Sequence, residues 1–278
     1  MTDSISAVPP STVPFDSTGR LMSLITAQLN TQLTRVSPPR RRPATLVAVG
    51  HGSRDPEASR TVRALLERVR ALRPGIPLRL GHIELSEPLL SDTLASLRGE
   101  VVLVPLLLGR GYHVKHDLPE ALARAPHLTG RIAAPLGPHP LLAEALHSRL
   151  VEAGFRRSRR AAVVLAAAGS RDPDSAADAA RTAALLSARL DGLPVVPAVA
   201  SAGGPTVADA VRTLVVNGSH RVAIASYFTA PGRFAAHCTS AAPWIAAAPL
   251  GAHDSMARLV LHRYDEALAR RTASVAVA

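Results

Sequence analysis

The chain has few aromatic residues, one cysteine and no long apolar run. Aromatic residues make up 3% of it while hydrophobic residues make up 47%, so its core must consist of Ala, Val and Leu, as in closely packed α/β layers. Cys238, the single cysteine, excludes an intrachain disulfide and fits a reducing compartment. No apolar run reaches the roughly 18 residues that cross a membrane, and no signal-peptide pattern opens the chain. We therefore expect a cytoplasmic protein without a membrane partner.

Positive charge is in clear excess, with a formal net charge of +11 at pH 7. Such an excess is typical of nucleic-acid-binding proteins. Here the Lys and Arg residues are scattered, and aromatic residues do not alternate with them as they do in single-strand-binding surfaces. We therefore predict no nucleic-acid partner. A basic protein also attracts polyanionic small molecules, and that ligand class stays open.

One sequence pattern occurs twice. The apolar run and turn at residues 46–56 return at residues 163–173, with Ala168 in the place of His51. A second anchor, Ala-Pro-Leu-Gly, occurs at residues 134–137 and again at 248–251. The repeat predicts an N-terminal lobe at residues 44–155 and a C-terminal, degenerate lobe at 156–278. Residues 1–43, rich in Ser, Thr and Pro, are expected to form a disordered extension.

Short β-branched strands alternate with amphipathic helices in both halves. This order predicts an α/β fold of two duplicated lobes, each a small parallel sheet flanked by helices. Ligands of such sheets bind at the carboxyl ends of the strands, so we expect an active-site cleft between the lobes.

Three polar residues of the first half follow neighbouring predicted strands. His51 follows the first strand, Glu84 ends the second and His113 follows the third. Neighbouring strands lie about 5 Å apart, so the three side chains should meet. Two imidazoles and a carboxylate suit Fe(II), Co(II), Ni(II) or Zn(II), and unligated they can accept protons. Alternatively, His51 is a structural turn residue and Glu84 pairs with Arg79.

These residues resemble the sirohydrochlorin chelatases of the CbiX and SirB type, which belong with the class II tetrapyrrole chelatases. The matching segments are His51-Gly52-Ser53, Glu84 with Pro88, and Gly111-x-His113 running into Asp117-Leu118-Pro119. The resemblance implies ATP-independent insertion of Fe2+ or Co2+ into sirohydrochlorin, a lyase reaction of sirohaem or cobalamin biosynthesis, with no permanently bound cofactor. It also implies that His51 and His113 bind the metal and that Glu84 acts beside them.

The second half departs from this motif. Ala168, Ser201 and Phe234 stand where His51, Glu84 and His113 would be. One metal site in the first lobe is therefore expected, with the second lobe as the other wall of the cleft. A duplicated chain also imitates a dimer of half-length subunits, which predicts a monomer.

Sirohydrochlorin is a polycarboxylate, which gives the positive charge a use. Four basic residues of the predicted cleft loops are candidates for binding its carboxylates. They are Arg54, Arg110, Lys115 and Arg233. The alternative for each is an ordinary solvated surface charge.

Other histidines have structural interpretations. His139 and His253 recur in both halves, including the half that lacks the metal motif, which indicates helix capping. His82 should point to the other face of its strand and is predicted to be structural. His116 lies one helical turn from His113 and is either its partner or a solvated residue.

Two other functions fit parts of the pattern. A non-catalytic carrier of metal or tetrapyrrole would need the same ligands as a chelatase. A phosphatase with a strand-end histidine would have Arg directly before that histidine, where this chain has Gly50. A phosphate-binding loop would require a Gly-x-x-x-x-Gly-Lys pattern, which is missing here.

Overall fold

A computed structural model of the chain describes residues 22–26, 28, 43–201 and 203–275. Proximity of Cα atoms divides the chain into residues 1–42 and residues 43–278. In the first unit, residues 22–26 and 28 are helical. The predicted disorder of the rest of residues 1–43 lies outside the described residues, apart from Pro43.

Four parallel strands form the first sheet, in the order β2-β1-β3-β4. They are β1 (Thr45–Gly50), β2 (Leu78–His82), β3 (Gly99–Pro105) and β4 (Leu128–Ile132). Ala48 of β1 lies opposite Leu80 and Val104, and the four residues from Leu46 to Val49 have no exposed surface. A central parallel strand is covered on both faces, which explains its uninterrupted apolar sequence.

Helices alternate with these strands. They are α1 (Pro56–Leu72), α2 (Leu90–Ser96), α3 (Leu118–Ala123) and α4 (Pro140–Glu152). Asp55 caps α1, because its Oδ1 accepts a hydrogen bond of 2.9 Å from the Glu57 N–H, and Pro56 suits the first helical position. A π-helical turn at His113–Asp117, which the sequence did not predict, precedes α3.

The second sheet repeats the first, in the order β6-β5-β7-β8. Its strands are β5 (Ala161–Ala167), β6 (Val195–Val199), β7 (Arg221–Ser226) and β8 (Ile245–Ala246). Its helices are α5 (Pro173–Arg189), α6 (Val207–Val216), α7 (Arg233–Ser240) and α8 (Asp254–Val275). Helix α7 was not predicted from the sequence. The matching strand orders confirm the predicted α/β fold with duplicated lobes.

The two lobes share one hydrophobic core. One face of each sheet packs with α1, α4, α5 and α8, so that these four helices lie between the sheets. The outer face of the first sheet packs with α2 and α3, and that of the second with α6 and α7. Within the described part of the chain, no helix is both long and apolar enough to cross a membrane. The predicted lobe boundary after residue 155 falls between α4 and β5.

Candidate functional site

The structure brings together the three residues expected at the carboxyl edge of the first sheet. The Nε2 atom of His51 lies 3.4 Å from Oε1 of Glu84. The imidazole rings of His51 and His113 meet edge to face, with centroids 4.7 Å apart. All three side chains are partly open to solvent, since His51 is 42% exposed, Glu84 53% and His113 35%. The edge therefore offers two imidazoles and a carboxylate to a ligand.

The backbone holds His51 and Glu84 side by side. Parallel pairing continues past the strand ends, because the Glu84 N–H donates to the His51 carbonyl at 3.0 Å. Gly52 has φ of +102°, and a Cβ atom there would lie 1.7 Å from the Glu84 carbonyl oxygen. Only glycine fits this close approach. Ser86 then ties the two loops together, because its hydroxyl bonds both the N–H and the carbonyl of Ser53, each at 2.9 Å.

A carboxylate that the sequence analysis did not assign orients His113. The Nδ1 atom of His113 lies 2.5 Å from Oδ2 of Asp117, one helical turn further on. A carboxylate accepts from a protonated Nδ1, which leaves Nε2 with a free lone pair for a metal. The signal in the sequence was the i, i+4 spacing, which places the two side chains on the same helix face.

The site is not a preformed metal chelate. Among residues 43–201 and 203–275, no group of three or more His, Cys, Asp or Glu side chains is arranged to hold a metal ion. His51 faces Glu84, whereas the Nδ1 of His113 faces Asp117. The roles of His51, Glu84 and His113 thus remain predictions, although their proximity is a feature of the structure.

Two of the four predicted substrate-binding residues already have carboxylate partners in the second lobe. Arg110 donates three hydrogen bonds to Asp178, and Lys115 lies 2.7 Å from Oδ2 of Asp172 and 2.9 Å from Oδ2 of Asp174. Hydrogen bonding to these carboxylates raises the pKa values of Arg110 and Lys115 above their ordinary values.

The other two predicted residues are exposed. The Arg233 guanidinium lies over the ring of Phe234, 5.4 Å from its centroid. Arg54 follows the His51 turn, and the repeat places Arg171 at the same position after β5. Neither Arg54 nor Arg171 forms an ion pair with any described residue. Arg171 was not among the predicted residues, although the repeated Gly-Ser-Arg-Asp-Pro segment indicates it.

The second lobe preserves the backbone of the site without its reactive side chains. Ser201 stands in the place of Glu84, and its hydroxyl donates to the Ala168 carbonyl at 2.7 Å. Phe234, in the place of His113, is 42% exposed. The substitutions therefore leave an edge that has neither imidazole nor carboxylate at these three positions.

The structure also resolves several alternatives. Arg79 bonds the Leu78 carbonyl, whereas Glu84 contacts His51. His82 is buried, its Nδ1 lies 3.2 Å from the Pro88 carbonyl oxygen, and burial lowers its pKa, as expected for a structural histidine. His116 stacks on Tyr112 at 4.7 Å and is exposed.

The predicted caps are confirmed. His139 accepts a hydrogen bond from the Leu141 N–H through Nδ1, and His253 accepts one from the Ser255 N–H, both at 3.1 Å.

Comparison with known proteins reveals both lobes again. A sequence model of the family described as CbiX matches residues 45–153 and 162–267. The sirohydrochlorin ferrochelatase of Bacillus subtilis is 31% identical over 169 residues, which span 58% of this chain and 64% of that relative. The sirohydrochlorin cobaltochelatase of Methanococcoides burtonii is 29% identical over 123 residues, 38% of this chain and 94% of that relative.

A solved structure has the same fold. SirB from Bacillus subtilis with Fe3+ superposes with a TM-score of 0.68 at 24% sequence identity. The superposition covers 83% of this chain and 98% of that one. Both duplicated lobes therefore lie within a known architecture.

Proposed function

The chain belongs to the CbiX family, and we propose that it inserts Fe2+ or Co2+ into sirohydrochlorin without ATP, as a chelatase of sirohaem or cobalamin biosynthesis. The observation that supports this best is the meeting of His51, Glu84 and His113 at one sheet edge. The names of the relatives, ferrochelatase and cobaltochelatase, support the reaction class and leave the metal open.

In this proposal His51 and His113 bind the incoming metal. Neutral imidazoles are borderline ligands that suit Fe(II) and Co(II), and they release the ion more readily than thiolates would. Asp117 keeps the proton of His113 on Nδ1, so that Nε2 is the nitrogen available to bind the metal. The metal is a substrate here, and the reaction has no redox step and no nucleotide, so no resident cofactor is required.

Glu84, the third residue of the site, accepts the protons that the macrocycle loses. Two pyrrole N–H groups of the macrocycle each lose a proton, and the divalent metal takes their place on the nitrogens. Glu84, which binds no metal in this proposal, is the acceptor for these protons. Because Glu84 is 53% exposed, it can pass each proton to water.

The substrate carboxylates need cations that are not already neutralised. Arg54, Arg233 and the newly identified Arg171 meet this requirement, and a guanidinium binds a carboxylate through two parallel hydrogen bonds. Arg110 and Lys115, also expected to bind substrate, are engaged by Asp178, Asp172 and Asp174, so we place them second.

Anaerobic metal insertion tests the proposal. Fe2+, Co2+ and Ni2+ are offered in parallel with sirohydrochlorin, and the product is followed by its absorbance. We expect multiple turnovers with Fe2+ or Co2+, and loss of turnover in His51→Ala and in His113→Ala. His220→Ala is the matched control and should retain activity. It removes an exposed imidazole at the amino end of β7, away from the carboxyl ends of the strands.

Other outcomes would point elsewhere. Full activity in both histidine variants would contradict the site while leaving the family intact. Metallation that stops at one equivalent per chain would indicate a carrier, and hydrolysis of p-nitrophenyl phosphate would indicate a phosphatase.

The proposal extends to the state of the protein. We infer a cytoplasmic monomer, because the single cysteine suits a reducing compartment and one chain supplies both lobes. Sedimentation of the full chain checks the monomer.

A further inference from the structure

The second lobe has lost the reactive residues, yet it contacts the loop that presents His113. We propose that Asp178, on α5 of the second lobe, is a positioning residue that holds the His113 turn in place. This inference rests on the proposed function of His113 and gives the degenerate lobe a role beyond forming a wall.

Asp178 is an unusual carboxylate in this protein, because it is buried and yet charged. Its side chain is 1% exposed, and among the described residues it accepts three hydrogen bonds, all from Arg110. Oδ2 accepts from the Arg110 backbone N–H at 2.9 Å and from Nε at 3.0 Å, while Oδ1 accepts from Nη2 at 2.7 Å. Burial alone would raise the pKa of Asp178, but the bonds from Arg110 outweigh it and lower that pKa.

The contact fixes a backbone that would otherwise be free. Arg110 lies between Gly109 and Gly111, three residues before His113, and glycines lose the most conformational freedom on ordering. Because Asp178 binds both the backbone N–H and the guanidinium of Arg110, it fixes the position of the residue as well as its side chain. A Cβ atom at Gly109 would lie 3.5 Å from Cβ of Asp178, so the turn rests directly on α5.

A second contact lies on the other side of His113. Lys115 pairs with Asp172 and Asp174 at the start of α5. Asp174 also lies 3.5 Å from Nη1 of Arg110. The turn that presents His113 is therefore bound to the same helix before and after the histidine.

The Arg110–Asp178 pair has no counterpart with the two lobes exchanged. When the repeats are aligned on the Asp-Pro at the start of α1 and α5, Thr61 is the residue equivalent to Asp178. When they are aligned on Gly111-x-His113, Pro231 is the residue equivalent to Arg110. Neither Thr61 nor Pro231 has a charge. The lobe without reactive residues thus holds the loop of the lobe that has them, and the reverse pair does not exist.

Asp178→Asn tests the proposal, with Asp265→Asn as the matched control. Asp265 also forms a two-bond pair with an arginine of the other lobe, Arg73 at 3.1 and 3.2 Å, at the far end of α1 from the His51 turn. For Asp178→Asn we expect the KM for Co2+ to rise about tenfold while the KM for sirohydrochlorin stays within about twofold. Asp265→Asn should change neither KM.

A second variant covers the case in which Asp178→Asn does not fold. Asp174 is 41% exposed and contributes to both ion pairs beside His113, so Asp174→Asn should fold and should raise the KM for Co2+ in the same direction by a smaller factor. If folded Asp178→Asn or Asp174→Asn has a lower Tm but an unchanged KM for Co2+, the contact only joins the lobes and the proposal is wrong.

Two readouts separate this inference from the proposed function. The protein alone is titrated with Co2+ and followed by the visible absorption of the bound ion, and hydrogen exchange is measured over residues 109–117. Suppose that Asp178→Asn binds Co2+ more weakly and exchanges the amide hydrogens of residues 109–117 faster, while Asp265→Asn does neither. This result would support a positioning role for Asp178 even if the wild-type protein failed to metallate sirohydrochlorin. Identical titration and exchange curves for wild type and Asp178→Asn would overturn it even if metallation succeeded.

Discussion

The contact between His113 and Asp117 determines which nitrogen the histidine can offer. An imidazole has two chemically distinct nitrogens, and a carboxylate bound to one of them fixes the proton there. At 2.5 Å from Oδ2 of Asp117, Nδ1 is that nitrogen. The ring is thus prepared for a ligand before any metal arrives, although the whole three-residue group is not.

We predict that Asp117→Ala raises the KM for the metal more than Asp117→Asn does. Partners that orient a metal-binding histidine typically contribute about 10- to 100-fold in affinity or activity, and Asn keeps a neutral acceptor whereas Ala keeps none. The KM for Fe2+ or Co2+ in the insertion assay measures the effect. Equal KM values in wild type and both variants would contradict the assigned role of Asp117.

Two helices, α4 and α8, are capped at their amino ends by histidines. Both α4 and α8 follow a histidine whose Nδ1 accepts a backbone N–H. Only a neutral imidazole has a lone pair there, so protonation removes the cap. Burial, followed by the nearby Arg263 and His262, lowers the pKa of His139, and burial, followed by Arg149, lowers that of His253.

These shifts predict a loss of stability in mild acid. The folded-state pKa values lie below the ordinary 6.5, so as pH falls below 6.5 the unfolded chain takes up protons first, and the free energy of unfolding decreases. Above pH 6.5 this contribution is fully present. Urea unfolding between pH 7.5 and 5 measures it.

The matched variant is His139→Asn with His253→Asn, because Asn caps helices well and does not titrate. We expect its free energy of unfolding to depend less steeply on pH, with part of the slope remaining because burial also lowers the pKa of His82 and His147. Parallel curves for wild type and double variant would refute the cap as the source of the slope.

The two lobes share a core and a hydrogen-bond network, so we expect residues 43–275 to unfold as one cooperative body. Tyr227 of the second lobe is buried, and its hydroxyl donates to the Leu108 carbonyl of the first lobe at 2.7 Å. The hydroxyl oxygen of Tyr227 also lies 3.1 Å from Oγ1 of Thr182, and burial raises the pKa of Tyr227. Thr229 adds a bond of 2.9 Å to the Leu106 carbonyl. These bonds hold the segment that leads from β3 to Arg110.

Tyr227→Phe is therefore expected to lower the free energy of unfolding by about 1–3 kcal/mol, because it leaves buried polar groups without their partner. Urea unfolding followed by circular dichroism measures this. Tyr112→Phe, which removes a hydroxyl from a side chain that is 65% exposed, should stay within about 0.5 kcal/mol of wild type. A Tyr227→Phe protein as stable as wild type would show that the bond to Leu108 is replaceable.

The sequence alone determined the fold class, the duplication and the three residues at the sheet edge. Continuous apolar runs identify buried parallel strands, and polar residues directly after such strands must gather at one edge whatever the rest of the chain does. The His51 motif and its counterpart at Ala168 were enough to separate the lobe with the reactive residues from the degenerate one.

Only the tertiary structure decided which cations are free and what holds His113. Arg110 and Asp178 are 68 residues apart, and an isolated Arg between two glycines gives no sign of a partner in another lobe. The π-helical turn at His113 was missed for a different reason, because its local sequence resembles an ordinary helix start. Periodicity records which face of an element is buried, whereas ion pairs between lobes depend on how two sheets and their shared helices pack, and no local pattern specifies that packing.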